Sequence, residues 1–299
     1  MMRDQAEQLR LLVEQEKQYA KTLAVTSGKG GVGKSNFSLN FSILLAKQGK
    51  RVLLFDMDMG MGNIDVLMGS TAKHSIVDFF QKEMTLSELI TKGPHDFSYI
   101  SGGTGLTSLF SMNEHHFQQF TSQFLELQKI YDFIIFDFGA GITKESSEFL
   151  MCIDEIIMIT TTEPSSIMDA YSVIKYVHIR NRDVPIYLVC NRIMKESQCE
   201  HTFLRLQTTL KRFLDRDIIL LGYLPDSTYV LQAVSRQIPF AVFNSNSDIS
   251  MALERITLHY LSNTSGVVNN LKNRSFIAKL KFFSMKGSIF CEKNKSSDH

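Results

Sequence analysis

The stretch "TSGKGGVGKS" (Thr26–Ser35) decides the fold of this chain. Its Gly28-x-x-x-x-Gly33-Lys34-Ser35 spacing is that of a phosphate-binding loop, in which glycines let backbone N–H groups point at phosphate oxygens. The apolar run "TLAV" (22–25) precedes the loop and the helical pattern "NFSLNFSILLAKQGK" (36–50) follows it. A strand before the loop and a helix after it are the context that such a site requires, so we predict a nucleotide-phosphate site here.

The residues of this loop carry specific chemical expectations. We expect Lys34 to reach the β- and γ-phosphates and the Ser35 hydroxyl to ligate Mg²⁺. The helix that begins near Gly33 adds the positive end of its dipole. Lys29 is a second lysine, which the pattern does not require. The loop residues expected to bind nucleotide are Gly28, Lys29, Gly30, Gly31, Val32, Gly33, Lys34, Ser35 and Asn36.

Near-continuous apolar runs alternate with helical patterns along the rest of the chain. Such runs indicate a parallel sheet that is covered by helices on both faces. We therefore predict one α/β domain over residues 21–262, with a doubly wound, mostly parallel sheet and ligands at the carboxyl ends of its strands. Further strands are predicted at 51–58, 97–103, 131–138, 154–161, 184–191 and 217–224, and further helices at 114–130 and 166–180.

The composition of the 299-residue chain excludes several classes of function. The net charge is +1, so no global basic excess indicates nucleic-acid binding. None of the four cysteines forms a C-x-x-C pair, which argues against a zinc ribbon or an iron–sulfur site within one chain. We expect reduced thiols in a cytosolic protein, no transmembrane helix because long apolar runs are lacking, and no signal peptide because the start is too charged.

Carboxylates follow two of the predicted strands. Asp137 ends the run "FIIFD", where a Walker-B aspartate would support Mg²⁺ together with Ser35. Asp56 and Asp58 end the run "RVLLFDMD". We expect Asp56, closer to the strand, to support the metal, and Asp58, further into the loop, to orient the attacking water. The structural alternative is that an aspartate after a strand caps the next helix.

Four segments together resemble the MinD/ParA class of deviant Walker-A ATPases. They are "KGGVGKS", "DMDMGMGNID", "FDFGAG" and "TTTEPSSIMDAYSVIK", and the resemblance spans about residues 21–262. It implies that Lys29 is the signature lysine, which reaches across an ATP-bound homodimer to the phosphates of the partner subunit. It also implies that Asp58 positions the hydrolytic water and that Asp137 holds Mg²⁺ through water. An ammonium supplied in trans would stabilise developing charge as an arginine finger does, so Lys29 and Asp58 are the catalytic candidates.

The same resemblance implies contacts to the rest of the nucleotide. Asn191, after the run "IYLVC", is similar to the adenine-recognising asparagine of the family. Pro225 and Asp226 begin a loop (224–240) that resembles the segment closing over the base. Glu163 lies on the segment that faces the partner subunit in such dimers, which suggests a nucleotide contact in trans.

The N-terminal segment (1–20) indicates one branch of this class. "DQAEQLR" (4–10) resembles the DQAxxLR motif of the flagellar-number regulators, the FlhG, YlxH or FleN group. In that group the segment stimulates the GTPase of a signal-recognition-type partner, FlhF. The resemblance implies that Gln5 enters the partner's site and is presented by Asp4, Ala6, Leu9 and Arg10. The alternative is an amphipathic helix that packs on its own domain.

The C-terminal part carries a second marker of the class. Residues 263–275 are polar and predict a linker, and residues 276–299 predict a membrane-targeting tail with local positive charge. On a helical wheel one apolar stripe has cations on its border, which suits an interfacial helix on anionic lipid. The stripe residues are Phe276, Leu280, Phe283 and Phe290, with Lys279 and Lys286. The alternative is a C-terminal helix that docks on the body.

Together these features predict a slow ATPase that works as a switch, with ATP and Mg²⁺ as its ligands. ATP is expected to form a homodimer and to move a cytoplasmic protein to the inner face of the cell membrane. Partners would be an FlhF-type GTPase, membrane lipids and components of the flagellar switch, or C-ring. A MinD-like division-site ATPase is the alternative. A DNA-partitioning ParA is third because the body lacks a basic excess, and an iron–sulfur carrier lacks the cysteines.

Overall fold

The sheet predicted from the sequence is the centre of the structure. The computed structural model describes residues 19–58, 63–103, 113–139, 141, 149–265 and 276–285. Over these residues one eight-stranded sheet has the order β3-β4-β2-β5-β1-β6-β7-β8. The strands are β1 (Lys21–Thr26), β2 (Val52–Met57), β3 (Thr91–Lys92), β4 (Ser98–Ile100), β5 (Phe133–Phe138), β6 (Glu155–Thr160), β7 (Ile186–Ile193) and β8 (Ile219–Pro225).

Helices cover both faces of this sheet, as the near-continuous apolar strands require. One hydrophobic layer includes α4, α5, α6 and α10, and the other includes α1, α8 and α9. The helices are α1 (Lys34–Lys47), α2 (Asn63–Met68), α3 (Ile76–Gln81), α4 (Glu114–Ile130), α5 (Pro164–Arg180), α6 (Glu196–Leu214), α7 (Thr228–Ser235), α8 (Phe240–Phe243), α9 (Asp248–Ser265) and α10 (Phe276–Met285), with a 3₁₀ turn at Pro94–Asp96.

The predicted doubly wound, mostly parallel α/β fold is confirmed. Every strand pair is parallel except β3 with β4. The predicted helix at 114–130 has the same bounds in the structure. The edge strand Thr91–Lys92 was not predicted, because two residues are too short to form an apolar run.

The strand order brings the phosphate loop and the carboxylates together. β5 lies between β1, which leads into the loop, and β2, which ends near Asp56. Val25 is in register with Asp137 on one side, and Asp56 is in register with Asp137 on the other. The site therefore lies at the carboxyl ends of three adjacent parallel strands, where open α/β sheets bind ligands.

The helix α10 is docked on the body of the domain. Phe276, Ile277 and Leu280 are buried in the layer that covers one face of the sheet. The ring of Phe276 lies with its centroid 4.8 Å from that of Phe124 and 5.0 Å from that of Phe149. Two of the residues of the predicted lipid-binding stripe, Phe276 and Leu280, therefore belong to the core while this helix is docked.

Several sequence predictions lie outside the described residues. They concern Asp4, Gln5, Ala6, Leu9 and Arg10 of the N-terminal segment, the linker beyond residue 265, and Lys286 and Phe290 of the tail. The side chain of Phe283 is also outside the description. Among the helices that are described, none has the length and apolar character needed to cross a membrane.

Candidate functional site

The phosphate loop has the backbone of an anion-binding nest. Gly31 has φ +74° and Gly33 has φ +96°, a region that L-residues with a side chain rarely adopt. Alternation of ordinary and left-handed residues turns successive N–H groups toward one concave face. Gly33 also caps the start of α1, so the positive end of that helix adjoins the same face. The loop is therefore shaped for phosphate.

The first half of the loop packs against α5. A Cβ atom on Gly28 would lie 2.1 Å from the backbone carbon of Asp169, so only glycine fits at this position. The Ser27 hydroxyl donates to the Lys29 carbonyl oxygen at 2.7 Å. These contacts fix the position from which the Lys29 side chain leaves the loop.

Lys29 points outward, toward the start of α5. Its Nζ lies 2.5 Å from Glu163 Oε2 and donates to Ser165 Oγ at 3.2 Å. The side chains of Lys29 and Glu163 are 40% and 54% exposed. Hydrogen bonding to Lys29 and its charge lower the pKa of Glu163. Within one chain, Glu163 thus binds Lys29, a contact that the sequence did not predict.

Lys34 has the opposite placement. It is buried, and burial lowers its pKa while the charges of Asp137 and Asp58 oppose that effect. An ammonium in this position can neutralise phosphate charge within its own subunit. The structure therefore separates the two lysines of the loop: Lys34 faces the acidic interior of the site and Lys29 faces its rim.

Asp137 and Asp56 form a buried carboxyl pair. Burial raises the pKa of Asp137 to about 6, opposed by hydrogen bonds from the Ser35 and Ser38 hydroxyls. Burial and the neighbouring Asp137 raise the pKa of Asp56 to about 7. Asp56 accepts hydrogen bonds from the N–H groups of Asp58, at 3.1 Å, and Ile64, at 3.3 Å. A cation beside these carboxyl groups would relieve their repulsion and lower both pKa values.

The residues present fit a magnesium ion. The Oδ2 atom of Asp137 is buried without a hydrogen-bond partner, while Oδ1 accepts from Ser38 Oγ at 2.8 Å. Together with the Ser35 hydroxyl it offers the oxygen ligands that Mg²⁺ prefers. Among the described residues no group of three or more His, Cys, Asp or Glu side chains has metal-binding geometry. Mg²⁺ commonly completes its shell with phosphate and water oxygens beside one or two protein ligands.

Asp58 faces the start of the segment that follows β5. A Cβ atom on Gly139 would lie 3.7 Å from Asp58 Oδ1, so glycine leaves space beside this carboxylate. The Asn63 side chain donates to Asp58 Oδ2 at 3.1 Å and fixes its orientation. Asn63 was missed in the sequence, although it lies in the quoted "DMDMGMGNID" stretch. Asp58 thus has one oxygen held by Asn63 and the other on the side of Gly139.

The expected base-contacting residues lie at the ends of β7 and β8. Asn191 Nδ2 donates to Val32 O of the phosphate loop at 2.7 Å. Pro225 ends β8, and the Asp226 N–H donates to Ile193 O at 3.1 Å, which joins the two strand ends. Asn191 thus contacts the phosphate loop directly, and its role toward a base stays a prediction.

These elements define a class of protein. A nest-shaped loop between strand and helix, a buried lysine and carboxylates on adjacent strands are the parts of a P-loop nucleoside triphosphatase. The model of the AAA domain family matches residues 20–185. The chain belongs to the MinD/ParA family of P-loop ATPases within that group.

The chain is similar to relatives from two branches of the family. It is 30% identical to the antiactivator FleN of Pseudomonas aeruginosa, over 73% of this chain and 78% of that protein. It is 31% identical to the flagellum site-determining protein YlxH of Helicobacter pylori, over 79% and 80%. It is 26% identical to the septum site-determining protein MinD of the same organism, over 88% and 98%.

Solved structures confirm the fold. The cell-division ATPase MinD of Pyrococcus furiosus superposes with a TM-score of 0.67 at 19% identity, over 82% of this chain and 99% of that one. MinD of Pyrococcus horikoshii, in complex with Mg-ADP, has a TM-score of 0.66 at 19% identity, over 84% and 100%. At these identities the likeness extends to the fold alone.

Proposed function

We propose that this chain is a Mg-ATP-dependent ATPase switch that homodimerises and regulates the number and placement of flagella. ATP forms the dimer and favours residence on the inner face of the membrane, and hydrolysis returns the protein to a cytoplasmic monomer. The main observation that supports an ATP-dependent switch is the placement of Lys29. Its ammonium lies at the exposed rim, paired with Glu163, whereas Lys34 serves the interior of the same site. A site built in this way lacks one cation until a second subunit supplies it.

Different residues of the chain have separate roles in hydrolysis. The N–H groups of the phosphate loop and Lys34 bind and orient the phosphates of ATP. Asp58, oriented by Asn63, holds the attacking water beside Gly139. Lys29 of the second subunit stabilises the charge that develops on the transferred phosphoryl group. Ser35, Asp137 and Asp56 would hold Mg²⁺, which when bound would neutralise negative charge on the phosphates.

Helix α10 is docked on the body of the domain, so it must undock before it can bind a membrane. Phe276 packs on Phe136 of β5 and on Phe149, on either side of the segment that follows the Walker-B strand. Lys279 Nζ lies 3.0 Å from Asp154 Oδ1. Because the apolar side chains are used in the core, the helix must leave the body before they can enter lipid.

A charge reversal on the exposed face of α10 tests the lipid interaction without changing its docking. Lys281 is exposed, and each basic residue near an anionic surface contributes about 1 kcal/mol. We therefore expect Lys281→Glu to weaken ATP-dependent binding to anionic liposomes about tenfold or more, measured by co-sedimentation. Lys175→Glu, the same change at an exposed position of α5, is the control. Equal binding by the two variants would contradict the membrane role of this helix.

The flagellar assignment is supported by the likeness to FleN and YlxH and by the "DQAEQLR" segment. A MinD-like division-site role is the second candidate, because the likeness to MinD spans a larger share of this chain. Nucleic acid is not an expected ligand, since the net charge is only +1.

A comparison of two glutamines separates these candidates. If the chain regulates flagella, the full-length protein should stimulate the hydrolysis of GTP by an FlhF-type partner. Gln5→Ala should abolish that stimulation, because the resemblance places Gln5 in the partner's site. Gln8→Ala, in the same segment, should retain it. No stimulation by the wild-type protein would favour the division-site role, and an equal loss in both variants would remove the assignment to Gln5.

A further inference from the structure

The outer side of the phosphate loop is held by two consecutive residues of β7. Asn191 Nδ2 donates to Val32 O at 2.7 Å, and Arg192 Nη2 donates to Gly31 O at 2.8 Å. Two neighbouring carbonyl groups of the loop are thus fixed by two neighbouring side chains of one strand. We name Asn191 and Arg192 the β7 clamp.

The clamp determines where the loop's N–H groups point. In a planar trans peptide the N–H points opposite to the C=O. Fixing Gly31 O toward β7 therefore turns the N–H of Val32 away from β7, and fixing Val32 O does the same for the N–H of Gly33. These N–H groups lie in the stretch where left-handed glycines form the anion-binding concavity. The clamp orients donors for phosphate without touching phosphate itself.

Arg192 makes this contact from an uncommon backbone conformation. Its φ is +58°, in the left-handed region that residues other than glycine seldom occupy. The register of β7 with β8 is interrupted between Cys190 and Ile193 at the same place. The Arg192 N–H donates to Asn191 Oδ1 at 2.9 Å, which links the two parts of the clamp. Strained residues of this kind cluster at ligand clamps.

The guanidinium also adds positive charge beside the loop. Arginine stays charged throughout the physiological pH range and carries five N–H donors. The field of Arg192 reaches Glu163, whose pKa it lowers in addition to the larger effect of Lys29. Arg192 is therefore a third cation at the site, next to Lys29 and Lys34.

We propose that Arg192 is a positioning residue for nucleotide binding, which keeps the phosphate loop in its anion-binding shape and sets the affinity for nucleoside di- and triphosphates. The inference rests on the proposed binding of Mg-nucleotide and adds a residue to it. Since Arg192 acts through the loop in the ground state, its loss should weaken binding and leave the rate at saturating ATP largely unchanged.

Full-length variants test this assignment. Arg192→Asn removes the guanidinium, and asparagine tolerates a left-handed backbone. Arg182→Asn, on an exposed side chain just before the other end of β7, is the matched control. Arg192→Lys retains the charge with a different donor geometry. We expect R192N to raise the Kd for Mg-ADP and the KM for ATP about tenfold, as loss of a charge-assisted hydrogen bond predicts. R192K should recover part of that loss, and R182N should match the wild type.

Thermal melting shows whether each variant is folded. The values of Kd, KM and kcat then test the role assigned to Arg192. Equal Kd values for R192N and R182N would overturn the assignment. A fall in kcat with unchanged KM would also overturn it, because it would place Arg192 in the transition state. A wild-type protein that binds Mg-ADP yet stays monomeric in ATP would contradict the proposed switch. Weaker Mg-ADP binding by R192N would still support this inference in that case.

Discussion

Replacing Lys29 by alanine is expected to abolish ATP-driven dimerisation and to slow hydrolysis about 10³-fold or more, while Mg-nucleotide still binds to the monomer. The reason is the division between the two lysines of the loop. Lys34 is buried within the site and stays intact, so binding of the nucleotide within one subunit is retained. Lys29 lies at the exposed rim and is the group that a second subunit would receive.

Sizing in ATP and ADP, combined with phosphate release, measures both parts of this expectation. Lys50→Ala, on an exposed lysine near the amino ends of the strands, provides the control for loss of charge. Glu163→Gln removes the carboxylate that pairs with Lys29 and leaves its ammonium charged, so this variant should still dimerise. A Lys29→Ala protein that dimerises like the wild type would show that the loop is complete within one chain.

The weak energy of the Lys29–Glu163 pair fits this role. Exposed ion pairs contribute little to stability because solvent screens them. A contact of that strength can hold a flexible lysine near the rim and release it when a γ-phosphate in a partner offers a stronger attraction. A buried pair would resist such an exchange, because breaking it would leave an unpaired charge in a medium of low polarity.

The sequence predicted seven of the eight strands that the structure describes and the phosphate-binding character of the loop. The apolar run before the loop predicted β1, since buried parallel strands have few polar positions, and the helical pattern after the loop predicted α1. Asp56 and Asp137 were each recognised at the end of a strand. Their register across β2 and β5 was not predictable, because strand order depends on the packing of the whole sheet.

Contacts between distant segments could not be predicted from the sequence either, because they also depend on the packing of the whole sheet. Lys29 and Glu163 are 134 residues apart, and Arg192 and Gly31 are 161 residues apart. Helix α10 shows a different limit. Its apolar stripe is equally suited to lipid and to a protein core, because both exclude water from the same side chains. Only the structure shows that Phe276 and Leu280 are in the core.

Replacing Asp58 by asparagine is expected to have the opposite consequence for the switch: hydrolysis falls by about 10²–10⁴-fold, while the ATP dimer forms and persists. Asp58 lies beside Gly139 and is oriented by Asn63, a position suited to water and separate from the rim where Lys29 lies. An amide of the same size keeps the geometry but loses the charge that polarises water.

Single-turnover hydrolysis and sizing after prolonged incubation in ATP distinguish the two variants. Asp58→Asn should remain dimeric for longer than the wild type, whereas Lys29→Ala should not dimerise at all. Asp183→Asn, an exposed aspartate just before the amino end of β7, controls for the change in net charge. If Asp58→Asn loses the dimer as Lys29→Ala does, Asp58 acts in assembly rather than in hydrolysis. The order of events would then be different, with the water-orienting carboxylate completed only when two subunits meet.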